Sequence, residues 1–388
     1  MKRVALVAAG MTRFGVRQAT YRELIQEAGK ACFDSNKNIT PKDVDSFILS
    51  SVFPERSAFQ SHVACLGAES LGIRPRKVFG RVENMCGSGI VGIRYAYTAI
   101  LAGLTDMVMV VGAEKMTGPV PAESALNMIL GIDTAWEACY GMAAPPMFAL
   151  TAQAHAMKYG TTEEQLSAVS VKNHNHSRNN PYARFQTGAT MEQVMCSRVI
   201  AAPLRLFHCS SLSDGACAVI LASEDRAREL TDKPIYITGT AQSAYGYATA
   251  NFYRDLSHWP ALKEAAQNAY TMAGIGPDDV DFAEVHDCFA IAEIIAYEEL
   301  GFCEKGEGGK FAEAGMSDYG GKVVVNPRGG LIGCGHPLGA TGVAHAVEIF
   351  WQMRGEAGPR QVPKADIALS HVNSGPGEHH IVIYEKGF

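Results

Sequence analysis

The stretch RVENMCGSGIVGIRYAYTAILAG, residues 81–103, places a cysteine where two local patterns meet. The residues before Cys86 continue a predicted strand, KVFGRVENM, and the apolar periodicity after it predicts a helix to about Leu104. Only small residues, GSG, follow the cysteine directly. We therefore expect the Cys86 thiol at the N-terminus of a helix.

A position at a helix N-terminus is expected to make the thiol more reactive. Unpaired backbone N–H groups and the positive end of the helix dipole stabilise a thiolate relative to a thiol. The small side chains of Gly87, Ser88 and Gly89 leave room for a large acyl group, and backbone N–H groups can face its carbonyl oxygen. A buried, inert cysteine is the alternative, and this stretch alone leaves both interpretations open.

Strands and helices alternate around this stretch, which is typical of an α/β fold with a largely buried sheet. A helix is predicted over 21–35. The predicted strands cover 3–9, 44–52, 77–85 and 106–114. Residues 115–205 combine prolines, helical patches and polar segments, and they predict a less regular, inserted segment.

The second half of the chain repeats the first. GHPLGATGVAHAVEIFWQMRG followed by ADIALSHV mirrors CGSGIVGIRYAYTAILAG followed by TDMVMVV: a small-residue loop, a long helix and a buried strand. Chance likeness between α/β units is the alternative. The repeat predicts one half formed by 1–114 with 206–234, a second half over 235–388, and a site between them.

Three stretches of the second half contain candidate active-site groups. EVHDCFAIAEIIAYEELGF (284–302) places His286 and Cys288 two residues apart, on one face of a strand or in a strand-to-helix turn. NPRGGLIGCGHPLGATG (326–342) holds His336 in a glycine-rich loop that lacks the Lys-Ser/Thr pair of a phosphate loop. His336 is a candidate base for a nearby thiol. In the NSGPG turn, the N–H of Gly375 is a candidate anion donor.

Composition excludes several classes of function. The net charge of -6 argues against a nucleic-acid partner, and no apolar segment is long enough to span a membrane. The ten cysteines include no CxxC pair, and His286 with Cys288 lacks further ligands at suitable spacing, so no metal site is predicted. A chain of this length needs no disulfide framework, which predicts reduced thiols in a cytoplasmic protein.

Taken together, these motifs resemble the thiolase superfamily, and most closely its sterol-carrier-protein-2 type, which carries HDCF where common thiolases have NEAF or NEAHE. Further segments of that type are KNHNHSRNNPYARFQ (172–186), YGGKVVVNPRGGLIGCGHPLGATG (319–342) and WQMRGEAGPRQVP (351–363). The resemblance covers nearly the whole chain. It implies a five-layered α-β-α-β-α fold of two similar halves, in which 115–205 is a loop domain that covers coenzyme A.

The resemblance also implies a role for each candidate. Cys86 would be the nucleophile that becomes acylated, and His336 would activate it. His286 would donate to the thioester oxygen of the second acyl-CoA, and Cys288 would be the acid/base at its α-carbon. The N–H groups of Cys86 and Gly375 would form a second oxyanion hole around the acyl-enzyme carbonyl.

The C-terminal turn differs from that of common thiolases in two places. Asn373 occupies the place of their acid/base cysteine, and Cys288 would supply the missing thiol. PGEHH (376–380) replaces the usual small residues, which makes Glu378, His379 and His380 candidates for the substrate pocket. This bulk predicts a branched or aromatic acyl group.

The predicted function is therefore a thiolase that cleaves a 3-oxoacyl-CoA with coenzyme A, or runs the reverse Claisen condensation, with coenzyme A as substrate and no cofactor. The alternatives are a decarboxylating condensing enzyme that uses Cys86, His286 and His336, and a non-catalytic acyl-CoA-binding subunit. The resemblance implies a homodimer or a dimer of dimers, with DMVMVVGAE (106–114) at the dimer edge. It also implies that a small partner protein with a zinc ribbon and an OB domain can accompany such a chain.

Overall fold

The computed structural model describes residues 3–118, 126–246 and 255–388. Residues 119–125 of the predicted inserted segment and 247–254 of the predicted second half lie outside this range. The described strands are β1 (Val4–Met11), β2 (Phe47–Ser50), β3 (Phe79–Val82), β4 (Met107–Glu114), β5 (Val199–Ala201), β6 (Leu204–Arg205), β7 (Gly215–Ser223), β8 (Ile235–Ala244), β9 (Phe282–Glu284), β10 (Val324–Val325), β11 (Ile367–Asn373) and β12 (Glu378–Lys386).

Helices connect most of these strands. The described α-helices are α1 (Tyr21–Ser35), α2 (Pro54–Ser57), α3 (Val63–Ser70), α4 (Ser88–Leu101), α5 (Ala144–Tyr159), α6 (Glu163–Ser177), α7 (Met191–Met195), α8 (Glu224–Leu230), α9 (Pro260–Ala273), α10 (Ala290–Glu299), α11 (Gly308–Glu313), α12 (Gly330–Cys334) and α13 (Leu338–Arg354). Within the described residues, no helix is long and apolar enough to cross a bilayer.

The sheet topology contains an internal repeat. Its strand order is β10-β9-β11-β12-β8-β1-β7-β4-β2-β3, with the antiparallel pair β1 and β8 at the centre. Outward from that pair, each side runs through its own first, fifth, fourth, second and third strand. The directions also match, since on each side two antiparallel pairings are followed by two parallel ones. The predicted repeat of two α/β halves is therefore present in the strand order.

Alternate side chains of β1 enter different cores, as the two-residue period of a strand requires. Ala5 and Val7 pack in an outer cluster with Leu24 of α1. Val4 and Leu6 face a central cluster that contains α4 and α13 and that both halves of the sheet cover. A third cluster holds α9 on the far side of the second half. The layers therefore run helix, sheet, helix, sheet, helix, which confirms the predicted fold class.

The two central helices contact each other through their backbones. A Cβ atom on Gly342 would lie 2.3 Å from the backbone nitrogen of Ile90, and one on Gly89 would lie 2.8 Å from that of Val343. A Cβ on Gly112 of β4 would come within 2.4 Å of the Gly339 carbonyl oxygen. Glycine is required at these positions because real Cβ atoms do not approach backbone atoms so closely.

The predicted helical patches of 115–205 are present, since EEQLSAVSVKNHNHS forms α6, which begins at the capping box of Thr162. One expectation from the sequence needs correction. The strand β4 is not at an edge: it lies between β7 and β2, and its residues are all buried. An interior strand is apolar on both faces, so its composition cannot mark an edge. The edge strand of that half is β3, where Phe79 is exposed.

The contact between the central helices predicts the effect of one added methyl group. Gly342→Ala should lower the free energy of unfolding by about 3 kcal/mol, because the methyl group meets rigid backbone of α4. Denaturant unfolding followed by circular dichroism measures the change. Gly80→Ala is the matched control, since a Cβ there meets nothing within 4 Å. Equal unfolding midpoints for the two variants would contradict the prediction.

Candidate active site

Cys86 lies in a tight turn between β3 and α4. The turn is a short 3-10 helix, Met85–Gly87, and Met85 adopts a left-handed φ of +44°. The Ser88 hydroxyl accepts from the N–H of Asn84 at 2.8 Å and donates to the Met85 carbonyl at 2.6 Å, which fixes the turn. The thiol thus stands just before the first residue of α4, as the sequence predicts, and it is half-buried.

His336 faces this thiol from the start of α13. Its Nε2 lies 3.4 Å from the Cys86 Sγ. Its Nδ1 lies 2.7 Å from the Oγ1 of Thr341, and that hydroxyl donates its only proton to the Pro337 carbonyl at 3.0 Å. The hydroxyl must then accept the Nδ1 proton, so Nε2 carries the lone pair that points to the thiol. Thr341 was missed by the sequence analysis, although it stands one helical turn after the histidine.

His286 completes a group of three side chains. It follows the end of β9, its ring centroid lies 5.0 Å from that of His336, and the two rings are nearly perpendicular. The His286 side chain is fully buried, and neither ring nitrogen has a hydrogen-bond partner among the described residues. One donor N–H and one lone pair are therefore free for a bound molecule.

Cys288 lies in the same pocket, in the loop between β9 and α10. Cys86 and the Asn373 side chain both act on the pKa of Cys288, the first raising it and the second lowering it, so the two thiols and Asn373 are neighbours. Burial, followed by the Cys86 charge, raises the pKa of Cys288 well above its ordinary value. The strand-to-helix turn, rather than a continuous strand, is thus the correct alternative for this segment.

Burial keeps these groups neutral in the free protein. It raises the pKa of Cys86 to about 12, with the charges of Glu114 and Glu83 acting in the same direction. It lowers the pKa of His336 to about 3, with Arg328 adding to the effect. A backbone N–H lowers the pKa of Cys86, in the direction that the sequence predicts, but desolvation outweighs this effect in the resting protein. The resting pair is a thiol that faces a neutral imidazole.

A short segment that the sequence analysis did not single out joins the loops that hold Cys288 and His336. The N–H of His336 donates to the Ser211 carbonyl at 3.0 Å, and the N–H of Ser210 donates to the Cys288 carbonyl at 2.9 Å. Leu212 also forms a parallel bridge with His336. The segment therefore sets the distance between the Cys288 loop and the His336 loop. The sequence does not indicate this link, because its hydrogen bonds join residues that are far apart along the chain.

The C-terminal turn is tied to the turn that holds Cys86. The Ser374 hydroxyl accepts from the N–H of Gly87 at 3.0 Å and donates to the Asn84 carbonyl at 2.7 Å. Gly375 adopts a φ of +63°, which glycine tolerates best. The N–H groups of Gly375 and Cys86 have no hydrogen-bond acceptor in the described part of the chain. Both donors are free for an anionic oxygen.

The three bulky residues that follow this turn, Glu378, His379 and His380, begin β12 and have different surroundings. Glu378 accepts from the Asn84 side chain at 2.6 Å and lies 3.0 Å from the Nε2 of His380, so both contact the segment that leads to Cys86. The His379 ring lies tilted against that of Trp259, with 5.3 Å between the ring centroids, and a His379 ring nitrogen lies 3.1 Å from one of His371. Their predicted contact with the acyl group stays a prediction.

Comparisons with known proteins give the family. The family model described as Thiolase, N-terminal domain matches residues 4–225, and the model described as Thiolase C-terminal domain-like matches 246–386. The chain is 43% identical to an acetyl-CoA acetyltransferase of Methanothermobacter thermautotrophicus, over 97% of each chain. It is 38% identical to sterol carrier protein 2 of Bos taurus, over 100% of this chain and 73% of that protein.

A solved structure agrees with these relatives. The Ltp2-ChsH2(DUF35) aldolase superposes with a TM-score of 0.84 at 26% identity, over 98% of this chain and 97% of that chain. The predicted resemblance to thiolases, including their sterol-carrier-protein-2 type, is confirmed. The chain belongs to the thiolase family and is an acyltransferase.

Proposed function

We propose that the protein transfers acyl groups by a ping-pong reaction through Cys86, with a 3-oxoacyl-CoA and coenzyme A as substrates. The observation that carries the proposal is the 3.4 Å contact between the Cys86 Sγ and the unprotonated Nε2 of His336. A nucleophile within hydrogen-bond reach of a base, which a third group orients, is the arrangement that covalent acyl transfer needs.

The first half-reaction begins at this pair. His336 Nε2 takes the thiol proton while the sulfur of Cys86 attacks the 3-keto carbon. The N–H groups of Cys86 and Gly375 stabilise the oxyanion, since they have no other acceptor among the described residues. The bond between Cα and Cβ then breaks, and its electron pair moves into the enolate of a shorter acyl-CoA.

His286 and Cys288 then act on the enolate. The free N–H of His286 donates to its thioester oxygen, and burial holds the pKa of His286 well below its usual value, so the ring stays a neutral donor. The Cys288 thiol gives its proton to Cα, and the proton held by His336 restores that thiol. The thiol of free coenzyme A, deprotonated by His336, then takes the acyl group, and Cys86 regains the proton.

The remaining proposals concern what binds to the chain. We propose that 115–205 covers coenzyme A, that the chain forms a homodimer or a dimer of dimers, and that it works in the cytoplasm. All ten cysteines are free, which supports a reducing compartment. A small zinc-ribbon and OB-domain partner is also proposed, and the name of the superposed aldolase, which joins Ltp2 to a DUF35 component, supports it.

A substrate panel tests the function. Acetoacetyl-CoA, longer straight-chain and branched or aromatic 3-oxoacyl-CoA esters are assayed for cleavage that depends on coenzyme A, with mass spectrometry of Cys86. The acetyltransferase relative supports a short acyl group, whereas the bulky PGEHH turn predicts a branched or aromatic one. Acyl-Cys86 with cleavage supports a thiolase. Release of carbon dioxide from a malonyl thioester supports the condensing enzyme, and no acylation of Cys86 supports a binding subunit.

In the same assay, Cys288→Ala should separate the two kinds of chemistry. Cleavage should fall by about 10²–10⁴-fold, because Cα loses its acid. Acyl exchange between Cys86 and coenzyme A should persist, because it moves no proton at carbon. Cys65→Ala, which changes an exposed cysteine, is the matched control. Full cleavage by Cys288→Ala would remove Cys288 from the mechanism.

Thr341→Val should lower kcat by about tenfold with little change in KM, because the Nδ1–H of His336 loses its acceptor and the base loses its fixed tautomer. Steady-state kinetics measures both constants. Thr341→Ser keeps the hydroxyl and should restore most of kcat. If Val and Ser variants behave alike, Thr341 only fills space.

Alkylation of Cys86 in the free protein should rise with pH about tenfold per unit, from about pH 7 to about pH 10. The reason is that a thiol with a pKa of about 12 is protonated throughout this range, and its small thiolate fraction grows with pH. Peptide mass spectrometry after timed iodoacetamide treatment measures the rate, with the exposed Cys65 peptide as an internal reference for the reagent. A flat profile would instead indicate a thiolate–imidazolium pair.

A further inference from the structure

We propose that Cys86, His286 and His336 also form a binding site for a thiophilic divalent metal ion such as Zn²⁺, and that the ion inhibits the enzyme reversibly. The site uses the side chains of the acyl-transfer pocket, but the proposal does not depend on the substrate. The sequence analysis predicted no metal site, because it searched for ligands at short spacing along the chain. The fold instead assembles the set from three distant loops.

Three potential ligand atoms lie near the separations that a tetrahedral ion requires. One sulfur atom and two nitrogen atoms of the three side chains all lie within 4.8 Å of one another. With zinc at about 2.3 Å from sulfur and about 2.05 Å from nitrogen, a sulfur and a nitrogen ligand are about 3.6 Å apart and two nitrogen ligands about 3.3 Å apart. The Sγ of Cys86 and the Nε2 of His336 are 3.4 Å apart. Small side-chain shifts therefore suffice for coordination.

The lone pairs that an ion needs are available. The Nδ1–H of His336 points to Thr341, so its Nε2 is a ligand without a change of tautomer. His286 is fully buried, and neither of its ring nitrogens is paired within the described residues. An unpaired, buried imidazole beside a thiol can therefore serve as the third ligand. The half-buried Cys86 provides access from solvent.

Binding involves no oxidation or reduction. A metal–sulfur bond replaces the Cys86 S–H bond, the proton passes to the solvent, and two neutral nitrogen atoms donate lone pairs. The charges of Glu83 and Glu114 act on Cys86 and favour a cation there. The opposing charge of Arg328 is paired with Glu284 at 2.6 Å.

The same bonds explain inhibition. A coordinated Cys86 sulfur is a weaker nucleophile for a 3-oxoacyl-CoA, and a coordinated Nε2 of His336 cannot accept a proton. The fourth tetrahedral position remains for a water molecule, as in zinc sites that have three protein ligands. A chelator that removes the ion should therefore restore the activity.

Cobalt serves as the spectroscopic probe. The parent protein carries Cys65→Ser, Cys139→Ser and Cys196→Ser, which removes the exposed cysteines as competing ligands. Titration with Co²⁺ should produce a thiolate-to-cobalt band and the visible bands of tetrahedral cobalt, at one ion per chain, and Zn²⁺ should abolish them. Absence of these bands in the parent protein overturns the proposal.

Variants locate the ion. Cys86→Ser should abolish the thiolate band, and His286→Ala should weaken Co²⁺ binding by at least ~10-fold. His258→Ala, which removes a partly exposed histidine outside the cluster, should leave the spectrum unchanged. Thermal unfolding checks the fold of each variant, and the nearly isosteric Cys86→Ser decides the matter if His286→Ala does not fold. A band that persists in Cys86→Ser places the ion elsewhere and overturns the proposal.

Discussion

The backbone contact between the two central helices is the constraint on which the site depends. Gly89 and Gly342 let α4 and α13 touch without intervening side chains, and Gly112 lets β4 approach the start of α13. Each helix begins directly after a loop that carries a functional group, Cys86 in one half and His336 in the other. Close packing of the helix starts therefore brings the thiol and the imidazole together.

Burial by both halves then decides the protonation of the groups. A thiolate and an imidazolium would each lose hydration in this pocket, and the negative charges near Cys86 oppose a thiolate further. The pair stays neutral until a substrate provides a place for negative charge. In the proposed mechanism, backbone donors such as the N–H of Gly375, which has no acceptor among the described residues, supply that place. In the free pocket, the groups that can stabilise a negative charge are therefore unpaired N–H donors and not positively charged side chains.

The sequence predicted those features that depend on local pattern. The helix predicted over 21–35 from apolar periodicity has the bounds of α1, and the repeat of loop, helix and strand predicted the twin halves. Features set by distant pairing were not predictable. The interior position of β4 depends on which strands flank it, and the thiol state of Cys86 depends on groups from the other half that desolvate it. The contact of the Thr341 hydroxyl with His336 was not predictable either, because a threonine in a helix carries no local sequence signal for such a contact.

The proposed acid/base thiol is Cys288, whereas the resemblance to common thiolases places that thiol at the position of Asn373, and the sheet register explains why both positions lie close together. The strands β9 and β11 are parallel neighbours, and Ser370 is paired with Glu284. The carboxyl ends of parallel neighbours meet at one edge, so the residues that follow both strands face the same pocket. Asn373 stands three residues after Ser370 and Cys288 four residues after Glu284, and the Asn373 side chain lies near enough to Cys288 to lower its pKa. A thiol can therefore move from one strand end to the next while its sulfur remains beside Cys86.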